Sequence, residues 1–388
     1  MSPSSKSKTR KRPQQHERPP LTPAQFPELN GMFYNADPAE YLKMRIESLS
    51  LMLCGDDALR PAFSSTREIG VVTLEAADTP SADARRRFVA TEANLIVHHA
   101  AETLLRMFYA HVEQEDCPWL GIASSVNFTE FKQKLDHGLA SGFDREKIAQ
   151  VFLGGVSVAD SQIHVTETDF NEGIDAISLL LTYAAQRYLA ESFVYNAAKH
   201  GLSNVMVDNA SLGVETEGQA PLQIHQGQLQ TYLHKNRFPG AKNEPRQWFM
   251  SATGTLPDQD LAVSLLIARA IDSLWNCARR KYLASPGQIV LLNAEDVAVA
   301  IYGPVQHSLN VVRTFTYELP KRSPDGSIPE THLTFVNQQI PGDWSPESGD
   351  NIRPVRRINL LVRQRDRRIH STSRRHLLPF SPNGIQRV

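Results

Sequence analysis

The chain of 388 residues has few cysteines and no long apolar run. Cys54, Cys117 and Cys277 are too few and too scattered for a disulfide framework, and they lack the paired spacing of a zinc site. No run of 18 apolar residues occurs, and no apolar segment follows the basic N-terminus. Neither a membrane span nor a secretory signal is therefore expected. These absences predict a reduced, cytoplasmic protein.

The motifs of the common nucleotide-dependent enzymes and hydrolases are also missing. The sequence contains no G-x-G-x-x-G, no G-x-x-x-x-G-K and no G-x-S-x-G. Dinucleotide binding, P-loop hydrolysis and serine hydrolysis therefore have no positive support from the sequence. No cofactor is predicted.

The net charge of −1 conceals two basic ends on an acidic body. Residues 1–20 carry six Lys or Arg against one Glu, and residues 351–388 carry ten Arg against one Asp. The residues between them hold an excess of 15 acidic charges. The basic ends either bind phosphates or dock on the protein's own acidic surface. The C-terminal run has few aromatic residues for base stacking, which favours docking.

Composition and hydrophobic patterning divide the chain into four regions. Residues 1–30, rich in Ser, Lys, Arg and Pro, are expected to form a disordered basic tail. Residues 31–202 have helical periodicity, and residues 203–320 combine short apolar segments with one long helix. Residues 321–388 are predicted to be loop and an Arg-rich tail. The expected fold class is α+β, a helical bundle followed by a mixed antiparallel β-sheet region with one long helix.

Three long helices are predicted, over Ser81–Glu115, Phe170–His200 and Asp258–Leu283. The apolar face of the second helix rotates along its length. This indicates either burial by different partners or a bend near residues 186–188.

Short apolar segments separated by Gly, Asn and Pro indicate an antiparallel meander after residue 201. The expected strand segments are 205–207, 212–216, 222–224, 229–233, 248–252, 289–292, 297–302 and 309–319. Residues 320–353 have the composition of a loop. The apolar patch Ile358–Val362 in the Arg-rich tail is expected to dock as a strand or as a helix.

The second long helix ends in Tyr195-Asn196-Ala197-Ala198-Lys199-His200-Gly201. On a helical wheel the polar residues of this segment share one face with Glu191, pointing away from the apolar face. Glycine is the usual residue just after a helix end. Lys199 and His200 either belong to a functional site or simply interact with the helix dipole.

The first long helix carries His98, His99, Glu102 and Arg106 along one side. The i, i+4 spacing places His98 beside Glu102, and Glu102 beside Arg106. His98 and Glu102 could ligate a metal only with a further ligand from another element. No His-Glu-x-x-His pattern is present, so a solvated or helix-packing polar face is favoured and no metal is predicted.

The combination of His98-His99-x-x-Glu102-x-x-x-Arg106 with Tyr195-Asn196-x-x-x-His200-Gly201 resembles the HEPN family over residues 82–202. The resemblance implies a small all-α domain, which in many members is a metal-independent ribonuclease. It also implies a homodimer formed through the helices that carry the motif, and RNA or a nucleotide as ligand. Tyr195 stands where the family has Arg. Tyrosine brings no positive charge for a phosphodiester transition state, so Lys199 or Arg106 would have to supply it.

The leading function hypothesis is a non-catalytic HEPN-like binding or regulatory module, for which the resemblance implies a context of stress or defence. The first alternative is a metal-independent ribonuclease that uses His200 as acid and base. The second is a nucleic-acid-binding protein that acts through its basic termini. The candidate catalytic residues are His200, Asn196, Tyr195 and Lys199, and the candidate binding residues are His98, Glu102 and Arg106.

Overall fold

A computed structural model describes most of the chain and shows an α+β fold with antiparallel sheets and a long helix. The described residues are 21–124, 128–199, 203–214, 222–237, 245–303, 312–319, 333–337 and 354–368. The predicted fold class is thereby confirmed at the level of helical and antiparallel sheet content.

The helices fall mainly before residue 200, with one long helix after it. They are α1 Phe26–Tyr34, α2 Pro38–Met52, α3 Asp56–Phe63, α4 Ala82–Glu113, α5 Pro118–Ala123, α6 Phe128–Ser141, α7 Arg145–Ile148, α8 Val158–Ser161, α9 Glu167–Ala190, α10 Ser192–Lys199, α11 Pro257–Leu283, α12 Ala294–Tyr302 and α13 Gln364–Arg368. A π-helical turn, Ala149–Leu153, continues α7.

Within the described ranges, the strands form three antiparallel sheets. They are β1 Arg67–Ile69, β2 Val72–Leu74, β3 Asn204–Val214, β4 Leu222–Asn236, β5 Gln247–Gly254, β6 Gly287–Leu291, β7 Val312–Glu318, β8 Leu333–Asn337 and β9 Arg356–Leu360. The largest sheet has the order β3-β4-β5-β7-β8, and the pairs β1-β2 and β6-β9 form two small sheets.

The main hydrophobic core lies among α4, α9 and α11. Fully buried side chains such as Leu104, Leu180 and Ile271 come from all three helices. Strand β6, helix α12 and the C-terminal strand β9 add to the same core. The helical layer therefore contains elements from both sides of residue 202.

Local sequence signals explain where the long helices begin. The Ser81 hydroxyl accepts a hydrogen bond from the Ala84 amide at the start of α4. Thr166 and Asp169 form a reciprocal capping box at the start of α9. Pro257 occupies the first turn of α11, where its missing amide hydrogen costs nothing. The three predicted long helices are accordingly present, with the second divided in two.

Several predicted elements were wrong. Residues 297–302, expected to form a strand, belong to α12, because the Asn293 side chain caps a helix by accepting from the Glu295 and Asp296 amides. The segment 320–353, expected to be mainly loop, contains the short strand β8, which the sequence did not predict. Helix α1 begins inside the predicted disordered tail 1–30, and its Phe33 and Tyr34 rings pack edge-on and tilted against Trp275 of α11. Residues 1–20 of that tail lie outside the described residues.

Helix α11 also has the length and composition of a membrane-crossing segment. Within the part of the chain that the structure describes, no other helix is long and apolar enough to cross a membrane. Its apolar stretch is 72% buried inside the fold. Here it serves as the central helix of the core.

Candidate functional site

The motif segment forms a separate short helix, α10, after a break at Glu191. The backbone of Glu191 leaves the helical region with φ −110° and ψ 19°, and its amide makes the last bond of α9, to the Arg187 carbonyl at 3.0 Å. Helix α10 then packs against α4 and against strands β3 and β4. Of the two alternatives that the sequence left open, a bend near residues 186–188 or burial by different partners, the structure shows a break, and it lies at Glu191.

The break brings the two predicted polar segments together. The Tyr195 ring lies 5.2 Å from the His98 ring, centroid to centroid, and the Lys199 ammonium lies 5.5 Å from the Tyr195 centroid. Asn196 is exposed beside them. His200 lies outside the described residues. Tyr195 is thus the contact between α10 and the α4 residues that the sequence singled out.

Glu102 and Arg106 neutralise each other. The Arg106 Nε donates to Glu102 Oε1 at 2.7 Å, and the guanidinium carbon lies 4.7 Å from the centroid of the Phe131 ring. Burial raises the pKa of the Tyr195 hydroxyl, and the Glu102 carboxylate raises it further. Tyr195 therefore stays protonated, and Arg106 is already held by a carboxylate and an aromatic face.

His98 is buried rather than displayed on a solvated face. Only 3% of it is exposed, and its Nε2 lies 3.8 Å from Glu191 Oε2, which is longer than a hydrogen bond. Burial lowers the pKa of His98 below its usual value, although the nearby Glu191 carboxylate opposes this shift. The imidazole is therefore neutral near pH 7, and its plane is tilted by 31° from that of the Tyr195 ring.

Beneath the motif lies a group of largely buried charged side chains from three elements, here called the ion cluster: Arg187, Glu191, Asp260 and Arg313. Arg187 contacts Glu191 Oε1 at 3.1 Å and Asp260 Oδ1 at 3.3 Å. Arg313 pairs with Glu191 through its Nε and approaches Asp260 Oδ1 at 3.7 Å. The cluster connects α9 and the start of α11 with strand β7.

A β-bulge explains how Arg313 reaches the cluster. The pairing of β7 with β8 shifts between Val312 and Thr314, so that two residues of β7 stand opposite one of β8. Such a bulge changes the direction in which the intervening side chain points. Arg313, which lies at the bulge, pairs with Glu191 at the end of α9.

Burial perturbs the acid of the cluster. It raises the pKa of the Asp260 carboxyl to about 6, with Arg187 opposing this shift and Glu191 adding to it. Several polar atoms of the cluster, including Glu191 Oε2 and Asp260 Oδ2, have no hydrogen-bond partner among the residues that the structure describes. A buried charge group with incomplete hydrogen bonding contributes little net stability but is costly to break.

Sequence reasoning missed most of this cluster. It placed Glu191 on the outward polar face, but Glu191 is only 6% exposed. The i, i+4 spacing of Arg187 and Glu191 was a signal for their pairing. Asp260 and Arg313 are too distant in sequence for any pattern to connect them with the motif.

The surface next to α10 combines aromatic rings with cations. We define the aromatic–cation patch as Tyr41, Arg45, His99, Tyr195 and Lys199. The Arg45 guanidinium carbon lies 5.7 Å from the Tyr41 centroid and its Nη1 lies 3.3 Å from His99 Nδ1. The Tyr41 and His99 ring centroids are 5.9 Å apart. Burial lowers the pKa of His99, and the charges of Arg45 and Lys199 lower it further, so both cations lie near this ring.

A separate cavity of about 370 Å³ lies between the π-helical turn, α11 and α13. None of the predicted site residues lines it. Its charged side chains are already paired, Lys281 with Glu115 at 3.7 Å and Arg365 with Asp160 at 2.7 Å. Among the described residues, no group of three or more His, Cys, Asp or Glu side chains could hold a metal ion.

No protein-family model, curated protein or solved structure matches this chain. The site is therefore interpreted from its own geometry.

Proposed function

We propose that the chain is a non-catalytic module that binds single-stranded RNA through the aromatic–cation patch. The observation that carries the proposal is the grouping of two tyrosine rings, one imidazole and two cations on the adjoining surfaces of α2, α4 and α10. Single-stranded nucleic acids are bound by this combination, in which aromatic rings stack on bases and cations contact phosphates.

The exposure of the patch suits it to stacking. Tyr41 is 57% exposed and Tyr195 is half-buried, so each keeps ring surface open to a ligand. Each base stacked on an aromatic side chain contributes roughly 1–3 kcal/mol to binding. Lys199 and Arg45 lie beside these rings, where they can reach the phosphates that flank a stacked base. Arg45 also contacts Glu92, at 3.4 Å, so a phosphate would have to compete with this carboxylate.

The charges around α10 argue against phosphodiester cleavage. A ribonuclease of the HEPN type needs a cation at the position where this chain has Tyr195. Arg106 is paired with Glu102 and covers Phe131, and Arg187 is held in the buried ion cluster. Among the candidate cations that the structure describes, Lys199 is the one left to stabilise a phosphodiester transition state. These placements support the HEPN-like binding module over the ribonuclease alternative.

The binding test uses fluorescence anisotropy of a labelled single-stranded RNA with the full chain and with Tyr195→Ala and Lys199→Ala. We expect Tyr195→Ala to weaken binding roughly tenfold, since it removes about 1–3 kcal/mol of stacking. The matched control is Lys134→Ala, because Lys134 also lies over a tyrosine ring, Tyr109, at 6.0 Å. Equal affinities for wild type, Tyr195→Ala and Lys134→Ala would refute the proposal.

The same samples test catalysis. The RNA is recovered after incubation and its length is compared between wild type and His200→Ala. We expect intact RNA with both proteins. Cleavage by the wild type that is lost in His200→Ala would establish the ribonuclease alternative instead.

A further inference from the structure

The cavity between the π-helical turn, α11 and α13 has the size of a small-molecule site. Its volume is about 370 Å³. Ligand pockets range over roughly 300–1,000 Å³, and an engineered protein cavity of roughly 150 Å³ is enough to bind benzene. Single π-helical turns occur frequently at functional sites. The cavity therefore has room for an aromatic ring system together with a polar substituent.

The inner walls of the cavity are mainly apolar, because their polar atoms are bonded within the protein. The His111 ring makes hydrogen bonds with the Tyr34 hydroxyl at 2.8 Å and the Met107 carbonyl at 2.7 Å. Burial lowers the pKa of His111 to about 4, so the ring is neutral. The Tyr282 hydroxyl donates to the Glu115 carbonyl. The aliphatic side chains among the lining residues are Val151, Val156 and Ala278.

Two adjacent glycines hold one wall of the cavity in a fixed position. Gly154 has a φ of +79°, and a Cβ on it would collide with the Arg280 guanidinium. A Cβ on Gly155 would lie 2.6 Å from Asp160 Oδ2. The backbone here is packed directly against charged side chains. A preformed wall of this kind lowers the ordering cost of binding a ligand.

Positive charge is in excess behind this wall. The buried Arg363 guanidinium makes two hydrogen bonds to the Asp366 carboxylate, at 2.8 and 3.0 Å. The fully buried Arg280 donates to the carbonyls of Ser161 and Gly154, both at 2.7 Å. Its Nε lies 3.9 Å from Asp366 and has no hydrogen-bond partner among the described residues. Two buried guanidiniums thus share one carboxylate, an arrangement that an added anion would stabilise.

Lys281 is the cation best placed to hold that anion. Its ammonium lies 5.2 Å from the Tyr282 ring centroid and 3.7 Å from Glu115 Oε2. The second distance is longer than a hydrogen bond, so this pair leaves the ammonium donors open to a ligand. The cations of the cavity and of the wall behind it are Arg280, Lys281, Arg363 and Arg365, and the carboxylates are Glu115, Asp160 and Asp366. One positive charge is therefore in excess.

We propose that this cavity binds a small organic anion, with its ring-sized apolar body against the inner walls and its carboxylate or phosphate on the Lys281 ammonium. The cavity is separate from the aromatic–cation patch, and none of the patch residues lines it. The inference therefore goes beyond the proposed function.

The test is isothermal titration calorimetry of the full chain with three probes that share one ring system: indole-3-acetate, indole-3-acetamide and tryptamine. We expect indole-3-acetate to bind with a dissociation constant of about 1 mM or lower, as its size allows. The neutral amide should bind about tenfold more weakly, because hydrogen bonds to charged groups are the stronger ones. Tryptamine, a cation, should not bind. Phenyl phosphate then distinguishes a phosphate ester from a carboxylate as the preferred anion.

Two variants assign the binding to this cavity. Lys281→Met keeps the aliphatic stem and removes the charge, so we expect it to weaken indole-3-acetate about tenfold and to leave the amide unchanged. The matched control is Lys235→Met, because the Lys235 ammonium also lies over an aromatic ring, that of Trp248, at 4.8 Å.

The second variant is Val156→Trp. Val156 is a lining residue that is 52% exposed, so a tryptophan there should obstruct the cavity and abolish the binding of both probes. Its control is Val205→Trp, at an exposed valine of the five-stranded sheet. Circular dichroism establishes that all variants are folded.

Equal affinities of the wild type for indole-3-acetate and indole-3-acetamide would overturn the inference, and so would a dissociation constant above about 10 mM for both indole-3-acetate and phenyl phosphate. Unchanged binding in Lys281→Met and Val156→Trp would overturn it by placing the probe elsewhere. The RNA measurement separates this inference from the proposed function. Lys281→Met is expected to keep its RNA affinity, and Tyr195→Ala is expected to keep its affinity for indole-3-acetate.

Discussion

Glu191 is the residue on which the geometry of the candidate site most depends. Its backbone ends α9. Its carboxylate contacts Arg187 and Arg313, and its Oε2 lies 3.8 Å from His98 Nε2. Burying such a group is costly unless every charge is paired. Because α10 starts directly after it, the position of Tyr195 depends on how this one carboxylate is held.

Replacing Glu191 tests this dependence. We expect Glu191→Gln to lower the free energy of unfolding by about 3 kcal/mol, because it leaves two buried arginines with one carboxylate. Urea unfolding followed by circular dichroism at pH 7.5 measures the change. Glu102→Gln, which breaks a partly exposed pair, should cost less than about 1 kcal/mol. Equal losses in the two variants would contradict the burial argument.

Asp260 gives the cluster a pH dependence. Its carboxyl has a pKa of about 6 in the folded protein against 3.8 in the reference state. The folded state then binds this proton more tightly than the unfolded state, so the contribution to stability is present below about pH 4 and is lost as pH rises through 6. The loss amounts to roughly 3 kcal/mol at most.

The measurement is the unfolding free energy of wild type minus that of Asp260→Asn between pH 4 and 7. Since the amide does not titrate, we expect this difference to fall over that interval. Asp57→Asn, at an exposed position, is the matched control. If the difference in unfolding free energy between wild type and Asp260→Asn changed no more with pH than the difference for the control, burial would not raise the pKa of the Asp260 carboxyl.

At the scale of elements, the C-terminal strand β9 belongs to the body of the protein. It pairs with β6 along its whole length, and Leu360 is fully buried in the main core. After the strand, the Arg363 guanidinium donates to the Gly154 carbonyl at 2.7 Å and to the Asp366 carboxylate. This part of the Arg-rich tail is docked on the body. The remaining arginines beyond residue 368 lie outside the described residues.

Two neighbouring leucines test this docking. We expect Leu360→Ala to lower the unfolding free energy by about 3 kcal/mol, as large-to-small changes in a packed core do. Leu361→Ala, at the adjacent exposed position, should change it by less than about 0.5 kcal/mol. Thermal or urea unfolding of both variants measures the contrast. Similar effects would mean that β9 is not held in the core.

At the scale of the whole molecule, the acidic body neutralises part of its basic end. Arg356 makes two hydrogen bonds to Asp169, at 2.7 and 2.9 Å, and Arg365 pairs with Asp160. Arginines paired in this way release no counterions when nucleic acid binds. Arg45 is held less closely, by Glu92 at 3.4 Å, and a phosphate can replace this longer contact. The proposed RNA contact therefore involves mainly Arg45 and Lys199.

The salt dependence of RNA binding tests this distribution of charge. Two phosphate contacts predict a slope of about −1.4 for the logarithm of affinity against the logarithm of salt concentration, at about −0.7 per contact with a single strand. Anisotropy titrations at several salt concentrations give the slope. A slope steeper than about −5 would assign binding to the basic termini, the second alternative from the sequence.

The sequence alone was sufficient for the features that depend on local order. The periodicity of residues 82–113 and the caps at Ser81, Thr166 and Pro257 fix the long helices, because these signals lie within a few residues of the structure they determine. The fold class followed from the same patterns. The apolar pattern was misleading for α12, because its valines and isoleucine suggested a strand. The helix cap at Asn293 was the local signal that the sequence reading did not use.

Only the tertiary structure decided which residues meet at the candidate site. Tyr195 and His98 were both identified from the sequence, but their contact depends on the break at Glu191 and on the packing of α10 against α4. The ion cluster joins residues 187, 191, 260 and 313, which come from α9, α11 and β7. These groups form because antiparallel pairing and helix packing bring distant segments together, and no pattern within one segment contains that information.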